Sequence, residues 1–171
     1  MEDTRNVIDK YKGMPHEAIV ADLDTHGSSL EIAIDNVERD FNMGTIVRSA
    51  NAFGVRHVHI IGRKQWNKRG AMMTDKYLHV RYHATPDEFI KAMAGKIVVA
   101  VDNVEGSVPL ESAELAVSAV LLFGAEGPGI RPELLKAAAS VVKIPQYGST
   151  RSLNVGVAAG IAMYEWTRRN A

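Results

Sequence analysis

The sequence predicts an α/β fold in which a mostly parallel sheet is covered by helices. Short apolar runs rich in β-branched residues alternate along the chain with helical patterns and polar turns, and this alternation is typical of parallel sheets. At 171 residues, the chain is long enough for one domain with a single core. The predicted strands span residues 30–34, 57–61, 97–101, 119–123 and 141–144.

Composition excludes several classes of protein. The sequence contains no cysteine, which excludes disulfide bonds and thiolate chemistry and fits a reducing compartment. The amino terminus MEDTRN is polar, unlike a secretory signal, and no apolar run approaches the roughly 18 residues of a membrane span. We therefore expect a soluble, cytoplasmic protein with no membrane partner.

Three helices are predicted before the third strand. The first spans residues 15–23, with proline at a tolerated first-turn position, and ends before the turn sequence THGSS. Asn42 is a candidate cap for the second helix, over residues 44–53. The third helix spans residues 86–93, and residues 104–112 are predicted to form a loop.

Residues 142–166 combine a strand end, a polar turn and a helix rich in small residues, VKIPQYGSTRSLNVGVAAGIAMYEW. Pro145 ends strand pairing because it has no N–H group. A helix is predicted from Asn154 onward. Gly156 and Gly160 lie four residues apart, on one face of this helix, and glycine costs about 1 kcal/mol in a helix. We therefore expect another backbone to pack closely there.

Residues 56–83 form a basic segment in a chain whose net charge is zero. This segment contains seven lysines and arginines but one acid, Asp75. The aromatic residues Trp66, Tyr77 and Tyr82 lie among the basic residues. Cations bind phosphates and rings stack on bases, so the pattern is typical of a polyanion-binding loop. A solvated loop without a ligand is the alternative.

Histidines in this segment do not predict a metal site. His57 and His59 would share one strand face, and His79 and His83 could be near each other, but no acidic or cysteine partner completes a ligand set. We expect them to be satisfied or solvent-facing side chains, and we expect no bound metal.

Two glycine-bearing loops follow predicted strands, at the edge of the sheet where ligands of parallel sheets bind. The first, GAEGPG at residues 124–129, matches neither the phosphate-binding GxxxxGK[ST] loop nor the dinucleotide-binding GxGxxG pattern. Its glycines would let backbone groups approach a flat ligand, with Glu126 as the ionisable group, although a tight turn without a ligand is the alternative. Ser152 in the second loop lacks the GxSxG context of a hydrolase nucleophile.

Three sequence blocks occur in fixed order. They are N-x5-N-x-G-x3-R-x-A-x2-F-G at residues 36–54, LLFGAEGPGI at residues 121–130 and IPQYGSTRSLNVGVA at residues 144–158. Together they resemble motifs one, two and three of the SpoU (TrmH-like) ribose 2′-O-methyltransferases of the SPOUT superfamily. The resemblance covers about residues 30–169, and the polar positions match as well as the apolar ones.

The resemblance implies a fold, a cofactor and a partner. Family members have an α/β sheet with helices on both faces and a C-terminal deep trefoil knot, bind S-adenosylmethionine in the knot and act as homodimers. Residues 1–29 would then be an N-terminal helical extension able to contact RNA. Residues 30–171 would form the SPOUT methyltransferase domain, with the knot over roughly residues 119–171. The implied cofactor-binding residues are Leu122, Gly124, Ile144, Gln146 and Leu153.

Catalytic residues follow from the same resemblance. Arg48 matches the motif-one arginine that acts on the ribose 2′-hydroxyl, with Asn36 in support. Glu126, Ser152 and Asn154 match the polar positions that shape the active site. A guanidinium stays protonated in proteins, so we expect Arg48 to position an RNA phosphate and to stabilise charge on the 2′-oxygen.

The substrate implied by the resemblance is RNA. Many relatives have methionine where this chain has Gln146, and the variant Ile-Pro-Gln with Arg-Ser-Leu-Asn-Val resembles eukaryotic guanosine-18 tRNA methyltransferases, which favours tRNA. Ribosomal RNA, a non-catalytic RNA-binding role for the fold and a small-molecule enzyme are the alternatives. The expected RNA-binding residues are Arg63, Lys64, Trp66, Lys68 and Arg69.

Overall fold

The computed structural model describes residues 7–37 and 41–171. A seven-stranded sheet forms its centre, and every pairing between these strands is parallel. The strands are β1 (Glu31–Asn36), β2 (His57–Gly62), β3 (His79–His83), β4 (Ile97–Val101), β5 (Val108–Pro109), β6 (Ala119–Phe123) and β7 (Ser140–Lys143). Their spatial order is β3-β2-β1-β6-β4-β7-β5. The predicted fold class, an α/β protein with a mostly parallel sheet, is therefore confirmed.

Helices cover both faces of the sheet. They are α1 (His16–His26), α2 (Asn42–Ala52), α3 (Pro86–Ala92), α4 (Pro132–Ala137) and α5 (Val155–Asn170), with short 3-10 helices at Asp9–Tyr11, Arg69–Ala71 and Thr74–Tyr77. Alternate residues of a strand point to opposite faces: Leu121 joins the core beneath α2 and α5, whereas Leu122 joins the core beneath α3 and α4. Within the described ranges, no helix is long and apolar enough to cross a membrane.

Most elements begin and end within a few residues of their predicted bounds, but two local predictions are wrong. Asn42 is the first residue of α2 rather than its cap, and Phe41 occupies the cap position without a side-chain hydrogen bond. The predicted loop over residues 104–112 contains β5, which pairs with β7. A strand of two residues has no periodicity of its own, because it forms only where β7 provides a partner.

Close packing of another element, predicted at both glycines of α5, is found at Gly156 but not at Gly160 within the described part of the chain. A Cβ atom added at Gly156 would lie 3.1 Å from Thr45 Cγ2, a side-chain atom of α2. At Gly160 an added Cβ would meet no described atom within 4 Å. Gly156 therefore lets α5 lie close to α2, whereas nothing in the described part of the chain packs onto Gly160.

The N-terminal extension packs against the basic segment. Tyr11 and Tyr77 belong to one small buried cluster. The Oδ1 atom of Asp24 in α1 lies 2.8 Å from Arg56 Nε and 2.8 Å from His79 Nε2. Arg56 is only 5% exposed, so this member of the basic segment holds the extension in place rather than presenting charge to a ligand.

Candidate active site

A cavity of about 350 Å³ lies at the carboxyl edge of the sheet, where the segments after β4, β6 and β7 meet the start of α5. Ligands of parallel sheets bind at this edge because the loops after neighbouring strands converge there. The cavity is lined by residues from motifs two and three, namely Gly124, Glu126, Ile144, Gln146, Ser152, Leu153 and Asn154. The structure thus brings most of the predicted cofactor-binding and catalytic residues to one place.

The loop after β6 is a tight turn that requires glycine. A Cβ atom added at Gly124 would lie 2.3 Å from the carbonyl carbon of Gly129, which is far inside contact distance. Gly127 and Gly129 have φ angles of +92° and +71°, a region that glycine reaches without steric cost. The Gly129 N–H donates to the Ala125 carbonyl oxygen at 3.1 Å and closes the turn.

Two acids hold this loop from either side. Asp102, directly after β4, accepts a hydrogen bond from the Ile130 N–H at 3.2 Å. Asp35 in β1 is fully buried and binds Arg131 through the backbone N–H at 2.9 Å and the guanidinium at 2.6 Å. Because β6 lies between β1 and β4, the two strands beside it supply both anchors. Sequence analysis missed these acids, although each ends or follows a predicted strand.

Asn154 joins the three motif segments at the edge of the cavity. Its Oδ1 atom accepts a hydrogen bond from the Val157 N–H at 3.2 Å and caps α5, as the predicted helix start implies. Its Nδ2 atom donates to Glu126 Oε1 at 2.7 Å and to Asn42 Oδ1 at 2.8 Å. Asn42 was missed as a site residue, and its place in the first sequence block was the signal that could have identified it.

Three predicted site residues lie outside the cavity lining. Asn36 is buried and donates from Nδ2 to the carbonyl oxygens of Arg63 and Gln65, at 2.6 and 3.3 Å, so it supports the start of the basic segment. Arg48 is exposed on α2. Leu122 is fully buried in the core beneath α3 and α4.

Comparison with known proteins identifies the family. A sequence profile of the SpoU rRNA Methylase family matches residues 29–164. The chain belongs to the SpoU family.

Relatives of this SpoU chain include enzymes named for ribosomal RNA and for tRNA. It is 30% identical to the 23S rRNA (guanosine-2′-O-)-methyltransferase RlmB of Acinetobacter baylyi, over 97% of this chain and 77% of that protein. It is 30% identical to the tRNA (guanosine(18)-2′-O)-methyltransferase of Aquifex aeolicus, over 86% of this chain and 72% of that protein.

Solved SpoU structures share the fold. The TrmH/SpoU tRNA modifying enzyme of A. aeolicus superposes with a TM-score of 0.78 at 28% identity, covering 90% of this chain and 81% of that one. The AdoMet-bound rRNA methyltransferase from Sinorhizobium meliloti gives a TM-score of 0.74 at 28% identity, covering 83% of this chain and 57% of that one.

In this SpoU chain the predicted RNA-binding residues divide into exposed cations and a half-buried ring. Arg63, Lys64, Lys68 and Arg69 are exposed. Trp66 is half-buried and packs against the core beneath α2 and α5. Its ring is therefore partly used in packing, which the sequence could not reveal because Trp66 lies between polar residues.

Two of the cations lie over aromatic rings. Lys64 Nζ is 5.3 Å from the ring centre of Tyr82, on the edge strand β3, and Lys68 Nζ is 5.3 Å from the ring centre of Trp66. A hydrogen bond to Asp75 at 2.8 Å raises the pKa of Lys68. The positive charges are thus held beside rings, an arrangement that suits a nucleic acid.

Two glycines attach the basic segment to α2. A Cβ atom added at Gly44 would lie 2.6 Å from the backbone nitrogen of Ala71, and one added at Gly70 would lie 3.1 Å from the backbone nitrogen of Thr45. The helix that carries Arg48 and the segment that carries the cations therefore pack backbone against backbone.

Histidines of β2 and β3 form a hydrogen-bonded chain. His59 is 1% exposed, and its ring nitrogens lie 2.8 Å from Glu31 Oε2 and 2.9 Å from His83 Nε2. Although burial opposes the change, hydrogen bonds from His59 and Lys96 lower the pKa of Glu31 to about 2. Burial lowers the pKa of His57 and of His83. Across residues 7–37 and 41–171, no group of three or more histidine, cysteine, aspartate or glutamate side chains could hold a metal ion.

Proposed function

We propose that this chain is an S-adenosylmethionine-dependent RNA methyltransferase that transfers a methyl group to a ribose 2′-hydroxyl, with tRNA as the favoured substrate. The observation that carries the proposal is the Asn154 cluster, because it joins α2, the glycine loop and the start of α5 beside one cavity. Family membership supports the same activity. Ribosomal RNA is the second candidate substrate, favoured by the match to a 23S rRNA enzyme over 97% of this chain.

The cavity suits the proposed cofactor. Its volume of about 350 Å³ lies within the range of roughly 300–1,000 Å³ found for small-molecule sites. Ile144 and Leu153 supply apolar wall, and the glycine turn after β6 borders the cavity at Gly124. Lys143 and Glu126 supply the opposite charges that an amino acid moiety requires. When bound, S-adenosylmethionine supplies an electrophilic methyl group on a sulfonium.

The protein would act on the RNA mainly by alignment and charge. Asn154 holds Glu126 at the edge of the cavity, where Ser152 also lies. The cationic Arg48 side chain would bind a phosphate and stabilise negative charge that develops on the 2′-oxygen. Holding that oxygen within about 3–3.5 Å of the methyl carbon is the main rate advantage such a site can supply.

RNA would lie across the exposed cations Arg63, Lys64, Lys68 and Arg69. Asn36 supports this surface by binding the carbonyl oxygen of Arg63. The extension formed by residues 1–29 is proposed to reach the same RNA, since its described part packs against the basic segment. These substrates are cytoplasmic, so the same proposal places the protein in the cytoplasm.

A homodimer is proposed from the outer face of α5. Val157, Ile161 and Tyr164 are 52%, 39% and 59% exposed, and the Phe53 ring lies 6.5 Å from the Tyr164 ring. With Gly160 open on the same helix, a second copy could approach closely. Ile161→Asp should therefore give a monomer with little methyl transfer in sedimentation and rate measurements. A monomeric protein with full turnover would refute the proposal.

A trefoil knot is proposed for the C-terminal part. Strand β7 lies between β4 and β5, whereas α4 and α5, which precede and follow it, contribute to cores on opposite faces. The chain would thus thread through the segment that joins β4 to β5. Tracing the backbone of an experimental structure and finding it unknotted would contradict this.

Methyl transfer from labelled S-adenosylmethionine tests the function directly. Unmodified tRNA and ribosomal RNA are supplied as separate pools, and nucleoside mass spectrometry identifies the product. We expect a 2′-O-methyl nucleoside in tRNA that is lost with Arg48→Ala. Arg168→Ala is the matched control, because Arg168 is also exposed and pairs with Glu165 in its own helix. A wild-type chain that binds the cofactor but methylates neither pool would refute the proposal.

A further inference from the structure

Tyr147 has an exposed aromatic side chain and follows a residue that lines the cavity. Its side chain is 93% exposed, and it directly follows Gln146, which lines the cavity. Consecutive Cα atoms are about 3.8 Å apart, so the Tyr147 backbone lies next to a residue of the cavity wall. Across residues 7–37 and 41–171, the structure shows no hydrogen bond, ion pair or ring contact for this side chain. The ring therefore contributes little to the fold.

The segment that carries Tyr147 is anchored at its far end. Asn103 Nδ2 donates to the carbonyl oxygen of Arg151 at 3.2 Å, and Thr150 Oγ1 donates to the carbonyl oxygen of Ser152 at 3.1 Å. Strand β7 holds the near end, because Lys143 pairs with Pro109. The segment that carries Tyr147 is thus held beside the cavity by contacts at both of its ends.

Cations lie on both sides of Tyr147 along the chain. Lys143 lines the cavity and Arg151 is exposed on the same segment as Tyr147. Two acids line the same cavity, and each accepts a hydrogen bond: Glu126 from Asn154 and Asp102 from the Ile130 N–H. A ring flanked by cations is the arrangement with which proteins bind single-stranded RNA, because cations attract phosphates and the ring stacks on a base.

The proposed reaction also requires a base close to this place. A ribose whose 2′-hydroxyl enters the cavity carries its own base, and each neighbouring nucleotide brings another. Isolated exposed aromatic residues are common on protein surfaces, but few can lie beside the nucleotide that reacts. Tyr147 lies one residue from the wall of the cavity that would hold the methyl donor.

We propose that Tyr147 is a substrate-binding residue whose ring stacks on a base of the RNA at the mouth of the cavity. The inference rests on the proposed methyl transfer to RNA. Every base has a π face, so the ring would contribute affinity and alignment rather than base identity. Loss of one stacked ring from such a site corresponds to a decrease of about 5- to 150-fold in kcat/KM.

The test compares Tyr147→Phe, Tyr147→Leu and Tyr147→Ala with the wild-type chain. Three quantities are measured: kcat/KM with the RNA pool that the wild-type chain methylates, the Kd of a fluorescein-labelled unmodified tRNA transcript, and the calorimetric Kd of S-adenosylmethionine. Sedimentation of each variant reports its oligomeric state. Stacking predicts that phenylalanine retains the wild-type values, whereas leucine and alanine lose RNA affinity and kcat/KM with the cofactor Kd unchanged.

Several results would overturn the inference. Equal kcat/KM and RNA affinity in wild type and Tyr147→Ala would show that the ring does not contact RNA. A loss with Tyr147→Phe as large as with Tyr147→Ala would show that the hydroxyl acts instead of the ring face. A loss accompanied by a change of oligomeric state would show that the ring packs against a second copy. If the wild-type chain binds RNA without methylating it, the proposed function fails, and the RNA affinities of the variants still decide whether the ring stacks.

Discussion

Replacing Gly124 by alanine tests whether the tight turn after β6 builds the cavity. The added Cβ would lie 2.3 Å from the Gly129 carbonyl carbon and 2.5 Å from the Ile130 nitrogen, whereas ordinary contact begins at 3.4 Å. The backbone would have to withdraw by about 1.1 Å, the difference between 3.4 and 2.3 Å. Asp102 holds this backbone through the Ile130 N–H, so the strain cannot be relieved freely. Overpacking of this kind costs about 1–3 kcal/mol.

Thermal unfolding and calorimetric titration with S-adenosylmethionine measure the effect. For a chain of this size, 1–3 kcal/mol lowers Tm by about 2–12 °C, and we expect the cofactor Kd to rise at least about 10-fold, because a displacement near 1 Å can cost a site about 100-fold in rate. Gly148→Ala is the matched control, since its Cβ would meet no described atom within 4 Å. The free energy of unfolding of that variant should lie within about 0.5 kcal/mol of the wild-type value. If Gly124→Ala kept both the wild-type Tm and the wild-type Kd, the steric argument would be wrong.

Three further predictions concern the surroundings of the site. Arg131→Met should lower the free energy of unfolding by about 3–5 kcal/mol in urea titrations, because the buried Asp35 carboxylate loses its cation. Stability should fall as pH drops below about 6.5, the ordinary pKa of histidine, because burial lowers the pKa of His57 and of His83 and the unfolded chain takes up protons first. Gly44→Ala should weaken RNA binding while the cofactor Kd stays unchanged, because its Cβ would collide with the backbone of the basic segment.

Each of these predictions has a control and a contrary result. Arg168→Met removes a surface ion pair, and such pairs contribute little to stability. An equal loss in both arginine variants would contradict the role of burial. His83→Gln should make the pH dependence of stability shallower, and an unchanged profile would rule out this histidine as a source. Gly148→Ala again controls for the added methyl group, and RNA affinity that is equal in the two glycine variants would show that the Gly44 contact does not position the basic segment.

Local sequence signals were sufficient for most of the framework. Apolar runs such as residues 119–123 are long enough to predict strands. A strand inside a parallel sheet is buried on both faces, so it is apolar throughout, whichever strands it pairs with. Asn154 was predicted at a helix start because capping depends on residues only three positions away, and its Oδ1 accepts from the Val157 N–H. The sharp turn after β6 was equally local, since glycine adopts a positive φ without steric cost.

The tertiary structure decided which local features meet. Asn42 and Asn154 lie 112 residues apart in sequence, and neither shows in its own surroundings that it binds the other. Trp66 and Arg56 belong to a basic segment by composition, yet one packs on the core and the other pairs with Asp24.

Strand order is the physical reason for this division. The sequence by itself determined most of the framework, because each local element depends on residues within a few positions of one another. The elements so determined are the strands β1, β2, β4, β6 and β7, the helices α1, α2, α3 and α5 and the glycine turn after β6; β3, β5 and α4 were not predicted. Only the tertiary structure placed β6 between β1 and β4, which brings Asp35 and Asp102 to the two sides of that turn. Contacts between distant segments depend on which strands become neighbours, and no periodicity within one segment contains that information.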